Sequence, residues 1–202
     1  MAITTKLPVM LAAMAASMFA FTSPAEAATT VDKPKINIEV QKTPRYNVSG
    51  PKEKRDTQKF WVEVEVEFIA DKKSGDPNDD FVDPLEFKYF IALKAKDGQT
   101  KVYTLSVTHT NVLKGEKLYS VAYMSPTAVA KIMGKNATLN KSSIQVAVEI
   151  RSGGSLVAGD ATTRPSQKWW NSLPNVDGMV LNKNQTPFAP LWWDRYAEIQ
   201  GN

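Results

Sequence analysis

The sequence predicts an all-β protein, an antiparallel β-sandwich of about seven strands with one short helix. Apolar and polar residues alternate along several stretches, as they do when successive side chains of a strand point to opposite faces. Turn-forming residues separate these stretches. Only one segment carries helix signals, whereas a parallel sheet needs a helix between consecutive strands.

The clearest strand is predicted over residues 60–70, FWVEVEVEFIA. One face of this strand carries Phe60, Val62, Val64, Val66 and Phe68. The opposite face carries Glu63, Glu65 and Glu67. In a helix the same residues would surround the axis without forming an apolar face. We therefore expect a central strand whose outer face is solvated at the glutamates and apolar at Trp61 and Ile69.

Further strands follow from the same alternation. They are predicted at residues 36–40, 85–93, 101–109, 118–124, 144–150 and 155–158. Asp97-Gly98 and Ser152-Gly153-Gly154 are typical of hairpin turns, since glycine tolerates the positive φ of a tight turn. Residues 28–34 are expected to be a flexible N-terminal segment, and residues 43–58 a polar connection.

The helix is predicted between Ser125 and Gly134. The Ser125 side chain can cap the free N–H groups, and Pro126 suits the first helical position. Gly134 can adopt the positive φ that ends a helix. Val129 and Ile132 share one face, so we expect this helix to cover one end of the core.

Residues 1–27 have the features of a secretory signal peptide. Lys6 precedes an apolar run of about 15 residues, which is shorter than a membrane-spanning helix. Ala25-Glu26-Ala27 then forms a small-x-small cleavage site. We therefore expect export to the periplasm, the outer membrane surface or the medium, with no transmembrane segment after the leader is removed, rather than a membrane anchor.

The composition excludes several classes of site. The chain has no cysteine, which excludes disulfides, zinc-thiolate sites and a lipid-modified cysteine. The net charge of +4 comes from charges of both signs scattered along the chain. Nucleic-acid binding usually needs a clustered basic stripe, so no nucleic-acid partner is predicted.

No motif for catalysis, metal binding or cofactor binding is complete. Ser49-Gly50-Pro51-Lys52 matches S-x-x-K, but glycine and proline stand where a helix must begin. Residues 76–80 begin like a calcium loop, yet Phe81 and Phe87 occupy its glycine and glutamate positions. His109 is the only histidine, and we expect it at an edge or in a loop. The sequence thus predicts no catalytic, cofactor or metal residues.

Residues 162–202 differ in composition from the rest of the chain. They contain four of the five tryptophans and show no sustained period. An aromatic-rich segment packs on something, either on its own sandwich or on a partner. The candidate partner-binding residues are Trp169, Trp170, Phe188, Leu191, Trp192, Trp193 and Tyr196. We therefore divide the chain into a leader at 1–27, a β-sandwich domain at 28–161 and an irregular aromatic C-terminal arm at 162–202.

The stretch TPFAPLWWDRYAEI at 186–199 carries a resemblance. Together with the leader and the cysteine-free, β-rich body, it resembles a small group of exported, immunoglobulin-like proteins encoded beside bacterial type IV pilus machinery. The resemblance implies an immunoglobulin-like sandwich and a non-enzymatic envelope or pilus-associated protein. True pilins have a long apolar N-terminal helix, which residues 28–60 do not contain.

Three functions remain open from the sequence. The first is an exported interaction module for adhesion or assembly, whose partner is an envelope or pilus-machinery protein. The second is a carbohydrate-binding module for a host or envelope glycan, although adjacent tryptophans of an extended chain point to opposite sides. The third is a hydrolase with an unrecognised carboxylate pair. The first is preferred, and one of the two apolar ends of the outer face of 60–70, at Trp61 or at Ile69, is the expected docking place of the arm.

Overall fold

The computed structural model describes residues 29–46, 58–73, 78–163 and 168–201. The predicted leader and the S-x-x-K match at 49–52 lie outside the described residues. Asp76, the first position of the calcium-loop match, lies outside them as well.

Ten strands and one α-helix make up the described fold. The strands are β1 Thr29–Val31, β2 Lys35–Lys42, β3 Phe60–Lys72, β4 Leu85–Lys94, β5 Thr100–His109, β6 Lys117–Met124, β7 Gln145–Ser152, β8 Ser155–Ala161, β9 Asn175–Val176 and β10 Val180–Asn182. The helix, α1, spans Pro126–Met133. The prediction of an all-β sandwich is confirmed.

The strands form two five-stranded sheets. In sheet A, β3 pairs with both β1 and β2 on one side and with β6 on the other, and β10 extends the sheet beyond β6. Sheet B has the order β8-β7-β4-β5-β9. Neighbours are antiparallel except β5 and β9. The longest strand, β3, and the ten-residue β4 are interior strands of their sheets.

The core lies between the two sheets and follows the predicted alternation. Val62, Val64 and Val66 of β3 are fully buried, and Phe68 meets Phe87 of β4 with ring centroids 4.8 Å apart. The predicted inner face breaks only at Phe60, which is 53% exposed at the start of the strand. Burying these side chains provides the main stabilisation of a cysteine-free domain.

Helix α1 begins and ends where its sequence signals predict. Ser125 Oγ accepts a hydrogen bond from Ala128 N at 3.1 Å, and Pro126 is the first helical residue. Gly134 ends the helix with a φ of 101°, which disfavours a residue with a Cβ. Val129 and Ile132 are buried in the core, so the helix covers one end of the sandwich as expected.

The predictions for the N-terminal segment and for the histidine are wrong. Residues 29–31, expected to be flexible, form β1 and pair with residues 70–72 of β3. Thr29 is buried, and its Oγ1 donates to Asp83 Oδ2 at 3.1 Å. This bond ties β1 to the connection between β3 and β4. His109, expected at an edge or in a loop, is buried at the end of β5. A short polar segment and a lone histidine give no periodic signal from which either outcome can be inferred.

Candidate functional site

The C-terminal arm, described over residues 168–201, wraps around one side of the sandwich. It starts on the outer face of sheet B and then adds β9 to the edge of β5. It next adds β10 to the edge of β6 in sheet A. Its last part covers the outer face of sheet A. The arm, predicted to be irregular, therefore contributes a short strand to each sheet.

Trp170 attaches the beginning of the arm to sheet B. Its ring is buried and lies 5.8 Å from the ring of Phe90. Ala92, Val102 and Ala147 complete the apolar patch beneath it. These residues are on the side of sheet B that faces away from the core, and the arm covers them with Trp170, Trp169 and Leu173.

Glu149 provides a polar anchor beside this indole. Its Oε1 accepts from Trp170 Nε1 at 3.3 Å and from Lys168 Nζ at 3.0 Å, and its Oε2 accepts from Arg151 Nη2 at 3.0 Å. Burial alone would raise the pKa of Glu149, but these three donors outweigh it and lower the pKa. The carboxylate is thus charged and held by the arm.

Phe188 attaches the later part of the arm to sheet A. Its ring is stacked on Tyr123 at 4.7 Å with an interplanar angle of 4°. It also meets Trp61 edge to face at 5.7 Å. Phe188 is buried, and the arm therefore docks at the Trp61 end of β3, one of the two ends that the sequence offered.

Two of the three β3 glutamates, Glu63 and Glu65, are buried, contrary to the prediction that they are solvated. Glu65 is buried beneath the arm, where its two carboxylate oxygens accept from Arg195 Nη2 at 2.7 Å and from Arg195 Nε at 3.0 Å. Tyr196 OH adds a third bond at 3.0 Å. The Arg195 guanidinium also lies 3.7 Å from the ring centroid of Tyr119. Outer-face carboxylates therefore serve as attachment points for the arm.

Glu63 is buried on the same face with neutral partners. Tyr123 OH donates to it at 2.8 Å and Gln41 Nε2 at 3.3 Å. Burial raises the pKa of Glu63, and the negative charges of neighbouring Glu65 and Glu39 add to that effect. Glu63 therefore binds its proton more readily than a solvated glutamate does.

His109 joins the end of the arm to the core. Its Nδ1 lies 3.0 Å from the carbonyl oxygen of Ala197 and 3.2 Å from that of Glu198, and its Nε2 lies 2.7 Å from Ser120 Oγ. Two carbonyl acceptors at Nδ1 require that nitrogen to carry the proton, so Nε2 accepts from Ser120. Burial lowers the pKa of His109 to about 4, which keeps the ring neutral at pH 7.

Trp192 and Trp193 are exposed aromatic residues of the arm. Trp193 is 79% exposed and Trp192 44%. Trp192 has a φ of 51°, unusual for a residue with a side chain, and its ring lies 6.3 Å from that of Phe188 in a near-parallel arrangement. The two indoles therefore stand in a turn rather than in an extended chain.

A cleft of about 230 Å³, here called the Lys183 cleft, adjoins Trp193. It is lined by His109, Val121, Lys183, Asn184, Trp193, Tyr196, Ala197, Glu198 and Ile199. Lys183 is only 4% exposed; its Nζ donates to the carbonyl oxygen of Ala189 at 2.7 Å and lies 5.4 Å from the ring centroid of Tyr196. Burial lowers the pKa of Lys183.

The seven residues predicted to bind a partner thus divide into two groups. Trp170 and Phe188 are buried supports, and Trp169, Leu191 and Tyr196 are half-buried around them. Only Trp192 and Trp193 present large exposed surfaces. Sequence reasoning missed Lys183 and Arg195, because single charged residues in an aperiodic segment carry no pattern that distinguishes a buried one from a solvated one.

The described residues hold neither a metal-binding cluster nor a membrane-spanning helix. They contain no group of three or more histidine, cysteine or acidic side chains arranged to hold a metal ion. Within the same ranges, no helix has the length and apolarity needed to cross a membrane.

Comparison with known proteins places the chain in a family. A comparison with curated protein sequences found no match. The crystal structure of a protein from Akkermansia muciniphila is similar, with a TM-score of 0.71 and 28% sequence identity, over 88% of this chain and 95% of that chain. A protein-family model matches residues 22–202, which includes the sandwich and the arm. The chain therefore belongs to the family that this model describes.

Proposed function

We propose that the protein is an exported, non-enzymatic interaction module of the bacterial cell envelope, which binds a protein partner in pilus-associated adhesion or assembly. The binding surface is the exposed turn of the arm, Trp192 and Trp193, with the adjoining Lys183 cleft. The pilus association and the immunoglobulin-like description come from the resemblance of residues 186–199, and export comes from the features of residues 1–27.

One observation carries the protein-binding part of the proposal. Trp193 is 79% exposed. In the same arm, Trp170 and Phe188 are buried and attach the earlier and the later part of the arm to the sandwich. Exposing a large aromatic side chain to water is unfavourable, whereas burying it in an interface contributes strongly to binding. An anchored turn suits recognition, because the backbone that carries the tryptophan is already ordered before a partner binds.

The supports beneath the turn favour binding over flexibility. Residues on both sides of Trp192 and Trp193 are attached to the sandwich, through Phe188 on one side and through the bond of Arg195 to Glu65 on the other. The turn is therefore presented at a defined position. Sites of this kind bind partners without large backbone movement.

Site-specific photo-crosslinking tests this function. A benzoyl-phenylalanine introduced at position 193 should give a discrete crosslinked product with one envelope protein in the producing bacterium. The matched control is the same photo-crosslinker at Leu156, an exposed apolar residue of β8. Equal labelling patterns at the two positions, or no product at 193, would contradict the proposal. A shift of tryptophan fluorescence with glycans alone would favour the carbohydrate-binding alternative instead.

A further inference from the structure

The Lys183 cleft contains a buried cation without a carboxylate partner. Lys183 takes part in no salt bridge within the described part of the chain, unlike the cations paired with Glu65 and Glu149. Its ammonium donates one hydrogen bond, to Ala189 O, and has two further protons to donate. Buried charges are normally paired, since removing a charge from water without a partner is costly.

The other charged group of the cleft, Glu198, does not pair with Lys183. Glu198 is exposed, and its Oε2 accepts from Asn111 Nδ2 at 2.7 Å. His109 is neutral, as its hydrogen bonds require. The cleft therefore contains one cation, Lys183, that has protons left to donate and, among the described residues, no neighbouring carboxylate to accept them.

The rest of the lining is suited to apolar groups. Val121, Ile199 and the ring of Tyr196 contribute apolar surface, and Trp193 stands beside the cleft with most of its indole exposed. A ligand that fits must supply an anionic oxygen close to Lys183 and apolar groups on either side of it. Phosphate has the charge but no apolar part, whereas an acidic side chain between apolar side chains has both.

We propose that the Lys183 cleft binds an acidic peptide segment, in which an aspartate or glutamate carboxylate pairs with Lys183 and a neighbouring apolar side chain packs on Trp193. This inference rests on the proposed function and assigns the chemistry of the partner. The net charge of +4 is consistent with an acidic partner, because complementary charge speeds association. The carboxylate would supply the acceptor that Lys183 lacks.

Two synthetic peptides test the charge requirement directly. The acidic peptide is acetyl-Leu-Glu-Leu-Glu-Leu-amide, and its neutral counterpart carries glutamine at both glutamate positions. Calorimetric titration of the mature protein should show binding of the acidic peptide at least tenfold tighter than that of the neutral one. Equal affinities, or no binding of either peptide, would overturn the proposal. Inorganic phosphate that displaces the acidic peptide at equal concentration would overturn it too, because the site would then recognise any anion.

Matched variants test the residue assignment. Lys183→Met should weaken acidic-peptide binding at least tenfold, whereas Lys131→Met, which removes an exposed lysine of α1 and the same charge, should leave it unchanged. Trp193→Ala should weaken it several-fold. Undiminished binding by Lys183→Met contradicts the assignment.

A measurement on the unmodified protein covers the case in which Lys183→Met fails to fold. With ¹³Cε-labelled lysine, the Lys183 resonance should titrate at higher pH when the acidic peptide is bound than when it is absent, because a carboxylate stabilises the ammonium. An unchanged titration overturns the proposal. Crosslinking from position 193 to an envelope protein, combined with no preference for the acidic peptide, would leave the proposed function intact and reject only this inference.

Discussion

The two tryptophan pairs of the arm, Trp169-Trp170 and Trp192-Trp193, look alike in the sequence but have opposite positions in the structure. Trp170 is buried on Phe90 with its Nε1 bonded to Glu149, and Trp169 packs edge to face on it at 5.4 Å. The second pair is exposed. On sheet A the apolar site at Trp61 and Tyr123 is occupied by Phe188 and not by an indole of the second pair.

The two pairs therefore have different roles: the first attaches the arm to the sandwich, and the second is exposed on the attached arm. The first pair holds the arm on sheet B, and Phe188, Arg195 and His109 hold its later part on the rest of the sandwich. The second pair is held in place by those neighbours without being buried itself. Substitutions in the two pairs should therefore differ in kind, with loss of stability for the first and loss of binding for the second.

The largest effect is expected from Trp170→Ala. Removing a buried indole leaves a cavity on Phe90 and deprives Glu149 of a donor, so the free energy of unfolding should fall by about 3–5 kcal/mol. Urea denaturation followed by circular dichroism measures this change. Leu156→Ala, which shortens an exposed apolar side chain, is the control and should cost less than about 0.5 kcal/mol. A similarly small loss for Trp170→Ala would show that the first pair does not anchor the arm.

Acid should weaken the attachment of the end of the arm, which lies C-terminal to the second pair, to His109. His109 has a pKa of about 4 in the folded protein against about 6.5 when unfolded, so the unfolded state binds the proton first. Stability due to the neutral ring is complete above pH 6.5 and is lost progressively down to pH 4, by about 3 kcal/mol. Urea denaturation at pH 7, 5.5 and 4.5 measures this loss.

His109→Gln provides the comparison for this pH dependence. Glutamine stays neutral, and since His109 is the only histidine, the variant should lose less stability than the wild type between pH 6.5 and 4.5. Glu63 acts with the opposite sign, because burial raises its pKa and its protonation favours the folded state, but it is common to both proteins. Parallel pH curves for the two proteins would contradict the assignment.

A smaller effect is expected from Arg195→Met. The variant leaves the Glu65 carboxylate buried with Tyr196 as its remaining donor, which should cost about 2 kcal/mol. Glu65→Gln added to Arg195→Met should restore part of the loss by removing the unpaired charge. Lys141→Met breaks the exposed ion pair with Glu39 and should change stability by less than about 0.5 kcal/mol. Equal losses for the two single variants would mean that the Arg195 bond is no more important than a surface pair.

The smallest effect on stability is expected from Trp193→Ala, at less than about 0.5 kcal/mol, because the indole is mostly in solvent. The same urea denaturation as for Trp170→Ala measures it. Acidic-peptide binding should nevertheless weaken. A loss of stability comparable to that of Trp170→Ala would remove the distinction between the two pairs.

The sandwich was predictable because its strands obey simple periodicity. Residues 60–70 and 85–93 alternate with a period of two, and each forms the long interior strand of its sheet. Helix α1 was predictable from Ser125, Pro126 and Gly134, each of which acts locally. Such features depend on neighbouring residues alone, so no knowledge of the tertiary structure is needed.

The site was only partly predictable, because it depends on contacts between distant residues. Three glutamates on one face of β3 indicate a solvated surface unless a segment about 130 residues away supplies Arg195 and Tyr196 to Glu65. The tryptophans made the arm recognisable as a packed segment. Nothing in the sequences Trp169-Trp170 and Trp192-Trp193, however, distinguishes a buried indole from an exposed one. Lys183 gave no signal at all, since its burial results from how the arm folds back.

The short strands of the arm have a consequence for how copies of the protein behave toward one another. β5 and β6 would each leave a row of unpaired backbone groups at one side of the sandwich. The arm pairs with β5 at Val102 and His109 and with β6 at Tyr119 and residues 122–124. It does so in pieces of one to three residues, which are too short and bent to template a further chain. A chain without the arm would expose these parts of both edges at once, and we expect such a chain to aggregate edge to edge more readily.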